Sequence, residues 1–229
     1  MGKLYIVGTP IGNLEDITIR AIKTLRNVDF LLSEDKRRTY ILLNKYGIKK
    51  EDMISFNAKN FKKKIPMVIK KLKDGKTGAL VSDAGMPIIS DPGYELIDAC
   101  WKNGIEVDVI PGPSAVTSAV AVSGFPGSKF VFEGFLPKGR KRRKILKTLK
   151  NEKRVLVFFE SPERLLNTLK DIMDIMGNRK IFIAREMTKK FQEFFKGTVE
   201  EAIKHFQKEI LGEITIVLSG NVESEEEKL

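Results

Sequence analysis

Short β-rich runs alternate with amphipathic segments through almost all of the 229 residues, and this rhythm narrows the possible folds more than any other feature. Leu4–Val7, Val28–Leu32, Gly78–Val81 and Val107–Ile110 read as strands. Between them, Ala21, Ile22 and Leu25, and then Ile65, Val68, Ile69 and Leu72, recur at helical spacing. Strands regularly separated by helices predict an α/β domain with a mostly parallel sheet and helices on both faces. From Gly124 to Gly139 glycines and prolines crowd together, and this punctuation predicts a hinge or linker over 124–137. The alternation then resumes with Val155–Phe159, a helix carrying Leu165, Leu166, Leu169, Ile172, Met173 and Met176, and Ile181–Ala184. Phe194-Phe195, a helix near Val199–Phe206 and a strand Ile214–Leu218 complete it. The expected organisation is an N-terminal α/β domain over 1–123, a smaller mixed α/β domain over 138–220, and an acidic tail over 221–229.

Composition removes several classes of function. Cys100 is the only cysteine, so no internal disulfide or multi-cysteine zinc site can form. His205 is the only histidine and sits among Ala202, Ile203 and Phe206, which favours a structural role over a Ser-His-Asp triad. No apolar run is long enough for a membrane span or a signal peptide, so the expectation is a cytoplasmic protein without membrane or metal partners.

The formal charge of +11 is concentrated. Lys138 to Arg154 holds ten basic residues and one acid, +9 in seventeen residues. A second stretch, Lys59 to Lys76, carries eight lysines against Asp74. A charge run is by default a solvated helix face. Ile145, Leu146 and Leu149 predict a helix, however, with Arg140 to Lys144 at or just before its N-terminus, where the helix dipole disfavours cations. Such a cost is more natural if an anion such as an RNA phosphate binds there. Lys138, Arg140, Lys141, Arg142, Arg143 and Lys144 are therefore candidate RNA contacts, as are Arg37 and Arg38.

Chemistry-bearing residues gather in turns after strands. Gly8-Thr9-Pro10-Ile11-Gly12-Asn13 follows the first strand, with Asp16 or Thr18 as the next helix cap. The turn would let backbone approach a nucleotide-like ligand, yet it is neither GxGxxG nor a P-loop. Glu34-Asp35 follows the second strand. The pair could grip a ribose as in a dinucleotide-binding fold, serve as a general base, or cap a helix before Lys36-Arg37-Arg38. Ser82-Asp83-Ala84-Gly85-Met86-Pro87 and Ser90-Asp91-Pro92-Gly93 place two rigid Asp turns within a few residues, more than a strand-to-helix link needs. Pro111-Gly112-Pro113-Ser114-Ala115 turns into another helix, with Pro113 suited to its first turn.

Taken in order, these segments resemble one family. Leu4 to Thr18, Glu34-Asp35, Ser82 to Pro87, Ser90 to Gly93 and Pro111 to Ser114 carry the likeness, as do Glu133-Gly134-Phe135-Leu136-Pro137, Phe159-Glu160-Ser161 and Ala184-Arg185-Glu186. The family is the ribosomal RNA small-subunit methyltransferase I group, a branch of the tetrapyrrole methylases. The resemblance implies S-adenosyl-L-methionine as methyl donor, a cofactor cleft between two α/β domains, a homodimer, and 2′-O-methylation of a cytidine in the decoding region of small-subunit rRNA. It places cofactor contacts at Thr9, Pro10, Asp83, Ala84, Gly85, Met86, Pro87, Ser114, Ala115, Phe159, Ala184 and Glu213. Glu34 and Asp35 are then the candidate catalytic residues, either one as the base that takes the hydroxyl proton. Three positions depart from the family pattern: Met86 and Lys36 stand where Thr is usual, and Phe159 where Tyr is frequent. Competing readings are a methylase of a small tetrapyrrole precursor, whose polyacid substrate would also suit a basic surface, an NAD-dependent oxidoreductase, and a catalytically inert RNA-binding module.

Overall fold

The computed structural model describes residues 2–208 and 210–221. The chain divides into two compact units between Ser114 and Ala115.

In the first unit, β1 (Lys3–Val7), β2 (Phe30–Ser33), β3 (Met53–Ser55), β4 (Gly78–Val81) and β5 (Glu106–Ile110) form one sheet. Its order is β3-β2-β4-β1-β5, and every pairing is parallel. Strand residues alternate between two cores. Leu4, Ile6, Phe30, Leu32, Ile54 and Leu80 face one, shared with α3 (Phe61–Lys73) and α4 (Tyr94–Lys102). Val7, Leu31, Met53, Ala79, Val81 and Ile110 face the other, shared with α1 (Ile19–Asn27) and α2 (Lys36–Lys45). A sheet buried on both faces explains the near-continuous apolar character of its central strands. Thr18, not Asp16, caps α1, accepting the Ala21 N–H at 3.0 Å, whereas Asp16 ends a short 3₁₀ turn capped by Asn13.

The second unit opens with α5 (Ala115–Ser123), so Pro113 precedes that helix and is not in its first turn. The sheet comprises β6 (Phe130–Phe135), β7 (Val155–Glu160), β8 (Lys180–Arg185), β9 (Glu193–Thr198) and β10 (Ile214–Leu218), in the order β6-β7-β10-β8-β9. Only β6 and β7 run parallel; the other pairs are antiparallel. Leu146 of α6 (Gly139–Thr148), Leu165, Leu169 and Ile172 of α7 (Pro162–Met176), and Val199 and Ala202 of α8 (Val199–His205) build a core with Leu156, Phe158, Ile183 and Ile216. The stretch expected as a linker thus contains β6, an edge strand whose ladder shifts register between Phe132 and Phe135. Glycine and proline there punctuate a strand with an irregularity, a pattern easily read as a break. The acidic residues expected as a tail, from Glu223 onward, lie outside the described residues. No helix among the described residues is long and apolar enough to cross a membrane.

Candidate active site at the carboxyl edge of the parallel sheet

A parallel sheet gathers all its strand-to-helix turns on one edge, where open α/β sheets take ligands. Three turns converge there in the first unit. Thr9 and Gly85 exchange backbone hydrogen bonds (Thr9 N to Gly85 O 2.9 Å, Gly85 N to Thr9 O 3.1 Å). The buried Thr9 hydroxyl lies 3.2 Å from Ser82 O and 3.3 Å from Gly85 O. Gly8 N donates to Ile110 O at 3.0 Å, and the turns after β1 and β5 cross so closely that a Cβ on Gly8 would stand 2.7 Å from the Gly112 Cα. No side chain fits between these backbones, which is why glycine occupies both positions. The loop after β4 is strained: Ile88 and Ser90 adopt φ of 78° and 72°. A β-branched residue in that region is costly and is typical of functional loops.

Glu34, Ser82, Pro87, Asp91 and Pro92 line a small cleft at this edge with Phe56, Leu80 and Val81. Burial, then the charge of Asp83, raises the Glu34 carboxyl above its ordinary range, while an Asp83 backbone N–H and the Arg38 guanidinium pull the other way. Burial followed by repulsion from Glu34 and Asp83 pushes Asp91 up to about 6. Asp35 differs. Its carboxylate caps α2 by accepting the Arg37 N–H at 2.9 Å and holds the Arg37 guanidinium at 2.6 Å, and these bonds keep it down at about 2. The two adjacent acids expected to share one role are therefore divided: Asp35 is a helix cap, and Glu34 faces the cleft. Asp91 was legible in sequence only as a turn residue, because its raised affinity for a proton depends on neighbours distant along the chain.

The remaining expected contacts are spread over both units. Pro10 and Pro87 are buried and Ala84 is half-buried. The Met86 side chain packs against the first core and lies close to Gly8, so what this residue can offer a ligand is its backbone. Ser114 and Ala115 stand on either side of the boundary between units. In the second sheet Phe159, Thr215, Ala184 and Phe194 form one cross-strand row over β7, β10, β8 and β9. Glu213 is tied to Glu186, which accepts the Glu213 N–H at 2.8 Å, and Lys189 bridges both carboxylates at 2.8 and 3.1 Å.

The expected RNA contacts also divide. Arg37 is committed to Asp35, and Arg38 Nε lies 3.6 Å from Asp83. The cluster Arg140 to Lys144 lies within α6, in its first turn and a half. Arg142, only 6% exposed, points inward, with Nε donating to Asp171 at 2.7 Å and Nη1 to Thr168 at 2.8 Å. Arg143 Nη1 bonds Asp171 at 2.6 Å, and its Nη2 pairs with Asp174. These two arginines fasten α6 to α7, a correction to their expected role. Lys138, Arg140, Lys141 and Lys144 are exposed.

The profile of Tetrapyrrole (Corrin/Porphyrin) Methylases matches residues 3–203, nearly the whole chain. The chain belongs to the tetrapyrrole methylase family. Within it, a Thermotoga maritima protein named Ribosomal RNA small subunit methyltransferase I is 70% identical over 96% of this chain and 99% of its own length. Proteins of the same name from Halalkalibacterium halodurans (48% identity, 98% of this chain and 78% of theirs) and Escherichia coli O157:H7 (41%, 99% and 80%) also match. The methylase shares its fold with diphthine synthase (TM-score 0.73, 14% identity, 95% of this chain and 90% of that one). Uroporphyrin-III-C-methyltransferase from Thermus thermophilus is similar in fold (TM-score 0.65, 17%, 95% and 92%). Family membership makes S-adenosylmethionine the methyl donor. The site suits it: the crossing at Gly8 and Gly112 keeps backbone close to the edge, and the carboxylates of Glu34, Asp83 and Asp91 favour a sulfonium cation.

Proposed function

We propose that this methylase transfers a methyl group to the ribose 2′-hydroxyl of a cytidine in the decoding region of small-subunit rRNA. The observation that carries the reading is the 70% identity, across almost the full length of both chains, to a protein named Ribosomal RNA small subunit methyltransferase I. When bound, S-adenosylmethionine supplies an electrophilic methyl group on a sulfonium, which departs as a neutral thioether.

The rest of the work falls to the chain. Thr9, Gly85 and the Gly8–Gly112 crossing hold the turns rigidly at the sheet edge, so that reactants are placed rather than searched for. Orientation of this kind supplies up to roughly 7–11 kcal/mol. The attacking hydroxyl must lose a proton, and Glu34 is the acceptor: it is half-buried at the cleft, and its raised pKa strengthens it as a base. Asp35, held at about 2 by Arg37, is too weak a base for that task. A homodimer belongs to the same reading and is supported by the exposed Trp101 on α4 and Val109 on the neighbouring β5; light scattering checks it.

The test is incubation with methyl-labelled S-adenosylmethionine and either small ribosomal subunits or naked small-subunit rRNA, followed by location of the label. Label on one cytidine ribose, recognised by resistance of the adjoining phosphodiester to alkali, is the expected result. Label on a base, or none on RNA, overturns the proposal.

A further inference from the structure

The cations of α6 fall into two sets, and the difference is chemical. Arg142 and Arg143 are consumed by Asp171, Asp174 and Thr168. Arg140, Lys141, Lys144 and Lys147 are exposed, and among the described residues no carboxylate pairs with any of them. Their spacing, three and four residues apart, puts them on one helical face opposite the buried Arg142 and Leu146. Four like charges so placed repel one another, and those in the first turn also oppose the helix dipole. Among the described residues no acid offsets that cost. The anchored arginines meanwhile hold the helix backbone against α7, so the free cations project from a fixed backbone row.

A second observation stands beside this row. Phe135, at the end of β6, is 56% exposed. Its ring is braced by Phe159 at 5.4 Å, which is met edge-on by Phe132 at 4.9 Å. Arg140 follows five residues later, within about 18 Å even if that chain were fully extended. A supported, exposed aromatic ring within a few residues of unpaired cations along the chain supplies both parts that bind single-stranded nucleic acid, cations for the phosphates and a ring for a base.

We infer that the Arg140–Lys141–Lys144–Lys147 face of α6 and the Phe135 ring together form a docking site for single-stranded RNA. The inference rests on the rRNA substrate proposed above and names where a strand flanking the target is held. An acidic protein would use the cations but would have little use for the ring.

The test uses the full chain and an unstructured oligoribonucleotide of about a dozen nucleotides, with binding followed by fluorescence anisotropy across a salt series. The fourfold variant Arg140→Gln, Lys141→Gln, Lys144→Gln, Lys147→Gln is expected to bind more weakly. Its plot of log affinity against log salt should flatten by about 0.7 for each phosphate that is no longer neutralised. Phe135→Ala is expected to weaken binding about tenfold at unchanged salt slope, and Phe135→Trp to restore it. Lys63→Gln, Lys64→Gln, Lys70→Gln, Lys73→Gln removes the same charge from α3 and should change affinity far less. If the fourfold α6 variant melts early, Lys144→Gln with Lys147→Gln carries the same test at half the slope change. An unchanged slope in the α6 variant, equal losses in the α3 variant, or competition by polyglutamate as effective as by RNA would overturn the inference. These outcomes are separate from the methyl-transfer assay: wild-type protein that labels rRNA while the α6 variant binds normally refutes the docking site alone. Wild-type protein that labels no RNA refutes the proposed function, whatever the binding data.

Discussion

Two clusters of charge, one half-buried in the first unit and one buried in the second, have opposite designs. At the carboxyl edge of the parallel sheet, Glu34, Asp83 and Asp91 face one another, and the nearest cation, Arg38, lies 3.6 Å from Asp83. In the second unit Glu160 is completely buried, yet it accepts the Ser161 N–H at 2.9 Å and the Thr168 hydroxyl, and Arg164 Nε stands 3.1 Å away. Thr168 in turn accepts from Arg142, which holds Asp171. The second cluster pairs its charges within itself, although Arg164 Nε makes no hydrogen bond there, and it fastens β7, α6 and α7 together. The first gathers three carboxylates at the rim of a cleft with few compensating partners, and burial and mutual repulsion raise the proton affinity of Glu34 and Asp91. A fold pays for such an arrangement where a cation is to be received, which suits a methyl donor built on a sulfonium.

The largest effect expected from breaking this contrast is catalytic. Glu34→Gln should slow single-turnover methyl transfer by about 10²–10⁴-fold with little change in melting temperature. In the wild type the rate should rise with pH through a range above that of an ordinary carboxylate, and the variant should lose that limb; a rate equal to wild type would remove Glu34 as the base. Next comes the compensated cluster. Arg142→Ala should cost about 3 kcal/mol in urea unfolding, since it strips a buried network of its central donor. Lys147→Ala, on the exposed face of the same helix, should leave the unfolding midpoint where it is. Equal effects would erase the distinction between anchoring and free cations.

Asp91→Asn sharpens the other side. With a folded-state value of about 6 against 3.8 unfolded, Asp91 holds its proton more tightly in the native protein. Native stability therefore falls as pH rises from 3.8 to 6. The amide should be more stable than wild type at neutral pH by about 1 kcal/mol, solvent screening included, and the advantage should vanish below the unfolded value. The smallest effect is expected at Asp35, where the sign reverses. Its folded value of about 2 lies below 3.8, so its contribution is present above pH 3.8 and lost as pH falls towards 2. Asp35→Ala should lower the melting temperature slightly at neutral pH and not at all in strong acid.

Much of the fold was legible because it is written locally. Leu4–Val7, Gly78–Val81 and Val107–Ile110 alternate into two cores, and Ala21, Leu25, Val68 and Leu72 keep helical period, so strands and helices could be named in order. Met53–Ser55 escaped notice because three residues show no periodicity, and Phe130–Phe135 because its irregular ladder and flanking prolines resemble a linker. At the site, turn chemistry marked Thr9, Asp83 to Pro87 and Asp91, yet it could not separate Glu34 from Asp35. One carboxylate turns into a cleft and its neighbour onto a helix end, and adjacent residues in a sequence carry no sign of that. The basic run was equally visible and equally undivided; only the position of Asp171 and Asp174 on α7 shows which arginines are spent.

The sequence by itself determined the succession of strands and helices, the turns that carry chemistry and the family, since periodicity, capping and motif order are properties of neighbours along the chain. Tertiary structure alone decided the strand order β6-β7-β10-β8-β9, the raised pKa values of Glu34 and Asp91, and the burial of Arg142. Desolvation and charge repulsion act through space, between groups such as Glu34 and Asp91 that only the folded sheet brings together.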